Sequence, residues 1–152
     1  MVNNFSLKGK VALITGGCGL LGKMHGEAII EAGGKVILAD NHLVDEAEGY
    51  DYMFMDVTDK KSIQSCADKI DKIDILINNA ALNPKMVIKG DNNFENYSLD
   101  TWNKSIEVNL TGAFLCSQVF IKKMVDANIK GVVINIASDL GVIAPDQRIY
   151  EN

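Results

Sequence analysis

Apolar positions alternate between short continuous runs and longer stretches with helical spacing. The first run, Val11–Thr15, is β-branched and bounded by glycine, which predicts a buried strand. Residues 20–32 then carry Leu20, Leu21, Met24, Ala28 and Ile29 near helical spacing, and Gly33-Gly34 supplies a left-handed stop. Lys35–Asp40 predicts a second strand and residues 52–55 a third. Residues 59–70 read as a helix with Ile63, Cys66, Ala67 and Ile70 inward, capped by Thr58 or Asp59. Residues 73–77 give the fourth strand, which enters Asn78-Asn79-Ala80-Ala81.

Residues 83–97, rich in Asn, Lys and Gly, predict a long surface loop. Ser98 caps a long helix over residues 99–127. That helix is apolar on two sides, through Trp102, Ile106, Leu110 and Ala113 on one and Val108, Leu115 and Val119 on the other. Such a helix is expected to be buried on both, against its own sheet and against a second helix or subunit. Gly131 introduces the fifth strand, residues 132–136, and the chain shows no repeat, low-complexity segment or linker. Strand–helix alternation implies a parallel sheet with right-handed crossovers. The expected fold class is therefore α/β, a doubly wound Rossmann-type sheet in a three-layer α/β/α sandwich. Its strand order should be 3-2-1-4-5, with a ligand crevice between strands 1 and 4.

Composition narrows the partners. A chain of 152 residues, 47% apolar and 23% charged, suits a single domain with its own core over residues 1–152. A net charge of −5 speaks against a nucleic-acid surface. No apolar run approaches the roughly 20 residues of a membrane span, and the polar first ten residues lack a signal region. Cys18, Cys66 and Cys116 have no metal-ligand spacing, so no metal is expected and free thiols in a reducing cytoplasm are.

Gly17-Cys18-Gly19-Leu20-Leu21-Gly22, preceded by Gly16, fits G-x-G-x-x-G between a predicted strand and a predicted helix, the context in which the motif cradles a pyrophosphate. Asp40 ends the second strand 18 residues after Gly22. A carboxylate there accepts hydrogen bonds from ribose hydroxyls and repels a 2′-phosphate, so NAD is expected over NADP. Neither Lys nor Arg stands beside it; the neighbours are Ala39, Asn41 and His42. Cys18 reads as a small buried filler, His25 as an ordinary helix residue, and Lys60-Lys61 and Lys122-Lys123 as solvated helix faces.

Thr15-Gly16-Gly17, Gly19, Gly22, Asp56-Val57, Asn78-Asn79-Ala80-Ala81, Asn109 and Ser138 fall in the order seen in short-chain dehydrogenases/reductases, and the resemblance runs through essentially the whole chain. It is most similar to the branch with Asn-Asn-Ala-Gly after strand four, with Ala81 in place of the last glycine. The resemblance implies that Asp56 bonds the adenine amino group beside Val57. Asn79, followed by Ala80 and Ala81, would lie near the cofactor ribose, and Asn78 would brace the sheet. Asn109 would help hold a proton-relay water and Ser138 would bond the substrate oxygen. Hydride transfer creates alkoxide-like charge, which a preplaced hydroxyl stabilises.

The family also needs Tyr-x-x-x-Lys, in which the lysine lowers the tyrosine pKa. Tyr150 lies 12 residues after Ser138, but its lysine would be residue 154 and the flanking residues are unlike the small ones expected, so Tyr150 reads as a substrate-loop tyrosine. The chain is thus expected to be the cofactor-binding N-terminal part of a longer NAD-dependent oxidoreductase, inactive by itself and lacking its C-terminal strands. The substrate would be a small-molecule secondary alcohol or ketone, and the full enzyme a homodimer or homotetramer. Two other readings are a non-catalytic dinucleotide-binding module and a sugar-modifying dehydrogenase or dehydratase.

Overall fold

The computed structural model describes residues 5–42, 50–84 and 94–143. Strands β1 (Val11–Thr15), β2 (Lys35–Asp40), β3 (Asp51–Phe54), β4 (Ile75–Asn78) and β5 (Val132–Asn135) form one parallel sheet in the order β3-β2-β1-β4-β5. Helix α1 (Leu20–Glu31) covers one face and α2 (Lys60–Asp68) and α4 (Ala113–Asp126) the other, with α3 (Leu99–Ile106) leading into α4. The result is the Rossmann-type sandwich that the strand–helix alternation predicts, with its order reversing between β1 and β4.

Alternation along the strands decides what each face meets. Ala12, Ile14, Val36, Leu38 and Ile77 pack with Ile29 of α1. Leu13, Ile37, Ala39 and Leu76 pack on the opposite face with Ile63 of α2 and Cys116 and Phe120 of α4. β1 and β2 are covered from both sides, so they read as continuous apolar runs. Helix ends follow local chemistry. The Asp59 carboxylate accepts the Lys61 N–H at 2.9 Å, and the Ser98 hydroxyl accepts the Thr101 N–H at 3.4 Å. Gly33, at φ +85°, lets the Gly34 N–H turn back to the Ile29 carbonyl at 2.9 Å.

The structure departs from the periodicity in three places. The buried side of α1 is Gly22, Gly26 and Ile29, while Leu20, Leu21 and Met24 face solvent. Glycine has no side chain for an apolar count to register, yet it lets the helix press onto the loop and sheet: a Cβ on Gly22 would lie 2.5 Å from the Gly16 carbonyl oxygen. The fourth strand begins at Ile75 and β3 ends at Phe54, with Met55 buried just beyond. The helix expected over 99–127 is α3 and α4 joined by a π-helical segment, Glu107–Gly112.

That rod is buried along one side only. Cys116, Val119, Phe120 and Met124 enter the core, whereas Trp102, Leu110, Phe114 and Val125 are more than half exposed. The second apolar face is left open among the described residues, where a further helix or a second subunit is expected to cover it. On β5, Val133 packs beneath the helices and Val132 and Ile134 stand in the open.

Candidate functional site

The C-terminal ends of β1 and β4 are stitched together. Thr15, 1% exposed, accepts the N–H groups of Asn79 and Ala80 on its hydroxyl at 3.0 and 2.9 Å. Asn79 returns its side-chain N–H groups to the carbonyls of Thr15 and Gly16 at 2.9 and 3.1 Å. Gly16, at φ +62°, passes so close to β4 that a Cβ would lie 2.8 Å from the Ala80 Cα. Motif spacing marks the glycines; the Thr15 role has only the weak signal of a hydroxyl at a strand end.

From Gly16 the loop tightens through the Gly19 N–H to the Gly16 carbonyl at 3.2 Å and starts α1. Gly19 caps that helix with extended backbone and no side-chain hydrogen bond, so its first-turn N–H groups meet no capping side chain. A helix N-terminus of this kind suits an anionic phosphate. Across the loop, Asp40 Oδ2 accepts the Cys18 N–H at 3.1 Å and Oδ1 accepts the His42 N–H at 3.0 Å. Cys18 is half-buried, so the expectation of a buried filler is corrected: its backbone is held by Asp40 while its side chain keeps contact with solvent. Burial instead governs the other thiols, pushing Cys66 up to about 11 and Cys116 up to about 12.

A crevice of about 1030 Å³ opens at this switch point. Gly16, Gly19, Leu20, Leu21, Asp40, Asp56, Val57, Asn79, Ala80 and Ala81 all line it. Gly17 and Cys18 in the loop, and Gly22 in the first turn of α1, do not line it. Asp56 Oδ1 accepts both the N–H and the hydroxyl of Thr58, at 2.9 and 2.8 Å, and its own N–H donates to Ser62 at 3.0 Å. Its second carboxylate oxygen has no hydrogen-bond partner among the described residues. Lys104 of α3 and Glu107 and Val108 of the π-helical segment also line it, and sequence reasoning missed them because a π-helical turn has no signature in residue periodicity. A second groove of about 640 Å³ between α2 and α4 has polar walls that bond one another, Lys60 to Gln118 and Lys122 to Asp126, and lies away from the glycine loop.

Asn109 and Ser138 are not among the residues that line this crevice. Asn109 accepts the Leu82 N–H at 2.7 Å and donates to the Leu82 carbonyl at 3.1 Å, a two-point hold on crevice-lining backbone. Ser138 is exposed at the start of a 3-10 turn, its hydroxyl 3.3 Å from Asp139 Oδ1. Asn78, 5% exposed, braces β4 to α4 and β5 through Ser117 and Asn135, as the resemblance implies. His25 is half-buried in α1 with its Nε2 unpartnered among the described residues. Tyr150 and residues 85–93 of the expected loop lie outside the described residues.

The residues fit a dinucleotide. The loop lacks Cβ atoms where a ligand backbone would approach, the helix start is uncapped, and two acceptor carboxylates stand along the crevice. Residues 10–150 match the family model described as short chain dehydrogenase. A short chain dehydrogenase/reductase of Gibberella zeae is 36% identical over 147 residues, covering 88% of this chain and 53% of its own length. A 3-alpha-(or 20-beta)-hydroxysteroid dehydrogenase of Mycobacterium bovis is 32% identical over 149 residues, covering 90% and 54%. The chain thus spans about half the length of the curated relatives it matches. Among solved structures, a short chain dehydrogenase of Leptospira borgpetersenii with bound NAD+ superposes with a TM-score of 0.84 at 28% identity, covering 98% of this chain and 60% of that one.

Proposed function

The chain belongs to the short-chain dehydrogenase/reductase family, and on that premise we propose that it is the cofactor-binding part of an NAD-dependent oxidoreductase of secondary alcohols or ketones. The observation that carries this reading is the hydrogen bond from the Cys18 N–H to Asp40 Oδ2 at 3.1 Å. It makes the phosphate loop and the ribose-reading acid one unit. The NAD+ bound to the Leptospira relative supports the same cofactor.

In this reading the first-turn N–H groups after Gly19 hold the pyrophosphate, Asp40 accepts from the ribose hydroxyls, and Asp56 offers its remaining oxygen to the adenine amino group beside Val57. Asn79, Ala80 and Ala81 flank the second ribose. NAD, when bound, supplies the hydride acceptor. Ser138 then donates to the substrate oxygen, where charge develops during transfer. Both ends of the Asn109 side chain already hold Leu82, so its share in a proton relay runs through the remaining lone pair on Oδ1 and through the backbone of the π-helical turn. The Asn78-Asn79-Ala80-Ala81 sequence supports the Asn-Asn-Ala-Gly branch, and sugar-derived alcohols fall within the substrate class. The three free thiols suit a cytoplasmic setting, and the exposed stripe on α3 and α4 suits a homodimer or homotetramer.

Calorimetry tests the cofactor reading directly. The folded chain should bind NAD and bind NADP more weakly; no heat from either overturns it. With NAD and a panel of secondary alcohols, the 152 residues alone should make no NADH, because they contain no lysine after Ser138 to lower a tyrosine pKa. The same screen on the longer protein separates an oxidoreductase from a dinucleotide-binding module.

A further inference from the structure

At the crevice end of the sheet, one buried amide joins three elements. Asn78 Nδ2 lies 2.9 Å from Ser117 Oγ on α4 and 2.7 Å from Asn135 Oδ1, its register partner on β5. The direction of these bonds follows from a third. Ser117 donates its only hydroxyl hydrogen to the Ala113 carbonyl at 2.7 Å, so toward Asn78 its oxygen acts as an acceptor. One Asn78 N–H goes there, and the other requires an acceptor on Asn135. The backbone repeats the tie, with the Ile136 N–H donating to the Asn78 carbonyl at 2.9 Å as the last rung before Ser138. Ala113 directly follows the π-helical segment that carries Asn109.

We propose that Asn135 is a positioning residue for Ser138. As the acceptor for the second Asn78 Nδ2 hydrogen, it locks the rung just beyond β5 and with it the direction in which the chain leaves the sheet. Through Asn78 and Ser117 the same clasp fixes Ser138 relative to the helix bearing Asn109. Among the described residues β5 pairs with β4, and the side-chain tie adds to that backbone pairing. The proposal deepens the dehydrogenase reading and rests on it for the role of Ser138.

The donor logic makes the test asymmetric. Asn135→Asp keeps an acceptor at Asn135, whereas Asn135→Leu removes it. Amide hydrogen exchange by NMR on the 152-residue chain should show Ile136 and Gly141 exchanging at least about tenfold faster in Asn135→Leu, with Ile14 and Leu76 unchanged. Asn135→Asp should match the unmutated chain. Titrating NAD should shift the Ser138 amide in the unmutated chain and in Asn135→Asp, and not in Asn135→Leu. Uniformly faster exchange at Ile14 and Ile136, or Asn135→Asp behaving as Asn135→Leu, overturns the positioning role. Should NAD shift no amide from Gly16 to Gly22, the cofactor reading fails, and the exchange ratio still decides the clasp.

Discussion

Asp40 and Cys18 are joined by a 3.1 Å hydrogen bond from the Cys18 N–H to the Asp40 carboxylate, although 22 residues and the whole of α1 separate them in sequence. The strand pair that brings them together also aligns Thr15 with Ala39 in register. One carboxylate therefore shapes the glycine loop and lines the crevice.

Asp40→Ala should weaken NAD binding about tenfold or more, the scale of a lost hydrogen bond to a charged group, and should narrow the preference over NADP. Calorimetry with both cofactors measures this. Equal affinities in the unmutated chain would remove Asp40 from cofactor selection.

Gly22→Ala tests the close approach of α1 to its own loop. The added Cβ would sit 2.5 Å from the Gly16 carbonyl oxygen and 2.6 Å from the Gly17 Cα, both backbone atoms with little freedom to yield. Overpacking of this kind destabilises by about 1–3 kcal/mol. The urea midpoint should fall, with NAD affinity falling beside it; an unchanged midpoint would mean that the loop is softer than its contacts imply.

Asp74 gives the pH dependence. Burial acts to raise its pKa, and the Val11 N–H at 3.0 Å with the Lys72 and Lys10 ammoniums at 3.0 and 3.1 Å outweigh burial and hold it below the ordinary value. A pKa lower in the folded than in the unfolded chain contributes stability above the unfolded value, about 3.9, that disappears as pH falls through the folded one. Unfolding free energy should therefore drop on acidification below about pH 4, and Asp74→Asn should be less stable at neutral pH with a flatter acid limb. A mutant acid limb as steep as the original would assign the titration to another carboxylate.

The exposed stripe on α3 and α4 predicts self-association. Trp102, Leu110, Phe114 and Val125 present apolar surface along one helical rod, and a two-fold contact buries the same patch from each copy, about 800 Å² per partner in an ordinary interface. Sedimentation velocity at micromolar concentration should show dimers or larger species, and Phe114→Glu should shift them to monomer. A monomer before mutation would place these side chains against another segment of the same protein.

Sequence alone determined the layered fold, because a parallel sheet covered on both faces writes itself as apolar runs separated by helical stretches. Gly33 and Ser98 likewise announced their helix ends, since capping is chemistry within a few residues, and the structure chose Asp59 over Thr58 as the cap of α2. The tight glycine turn and the place of Asp40 at its strand end were legible for the same reason: glycines and an acid at fixed offsets from strand ends. The buried side of α1 was not, because glycines that permit contact carry no hydrophobic signal. Nor was the π-helical turn at Glu107–Gly112, whose backbone is shaped by the Asn109 hold on Leu82 and the packing of Gly112 against Val57. The Asn78–Asn135 clasp joins residues 57 positions apart and exists only once β4 and β5 are in register. Local rules set each element, and only the packed sheet brings distant polar groups within hydrogen-bond reach.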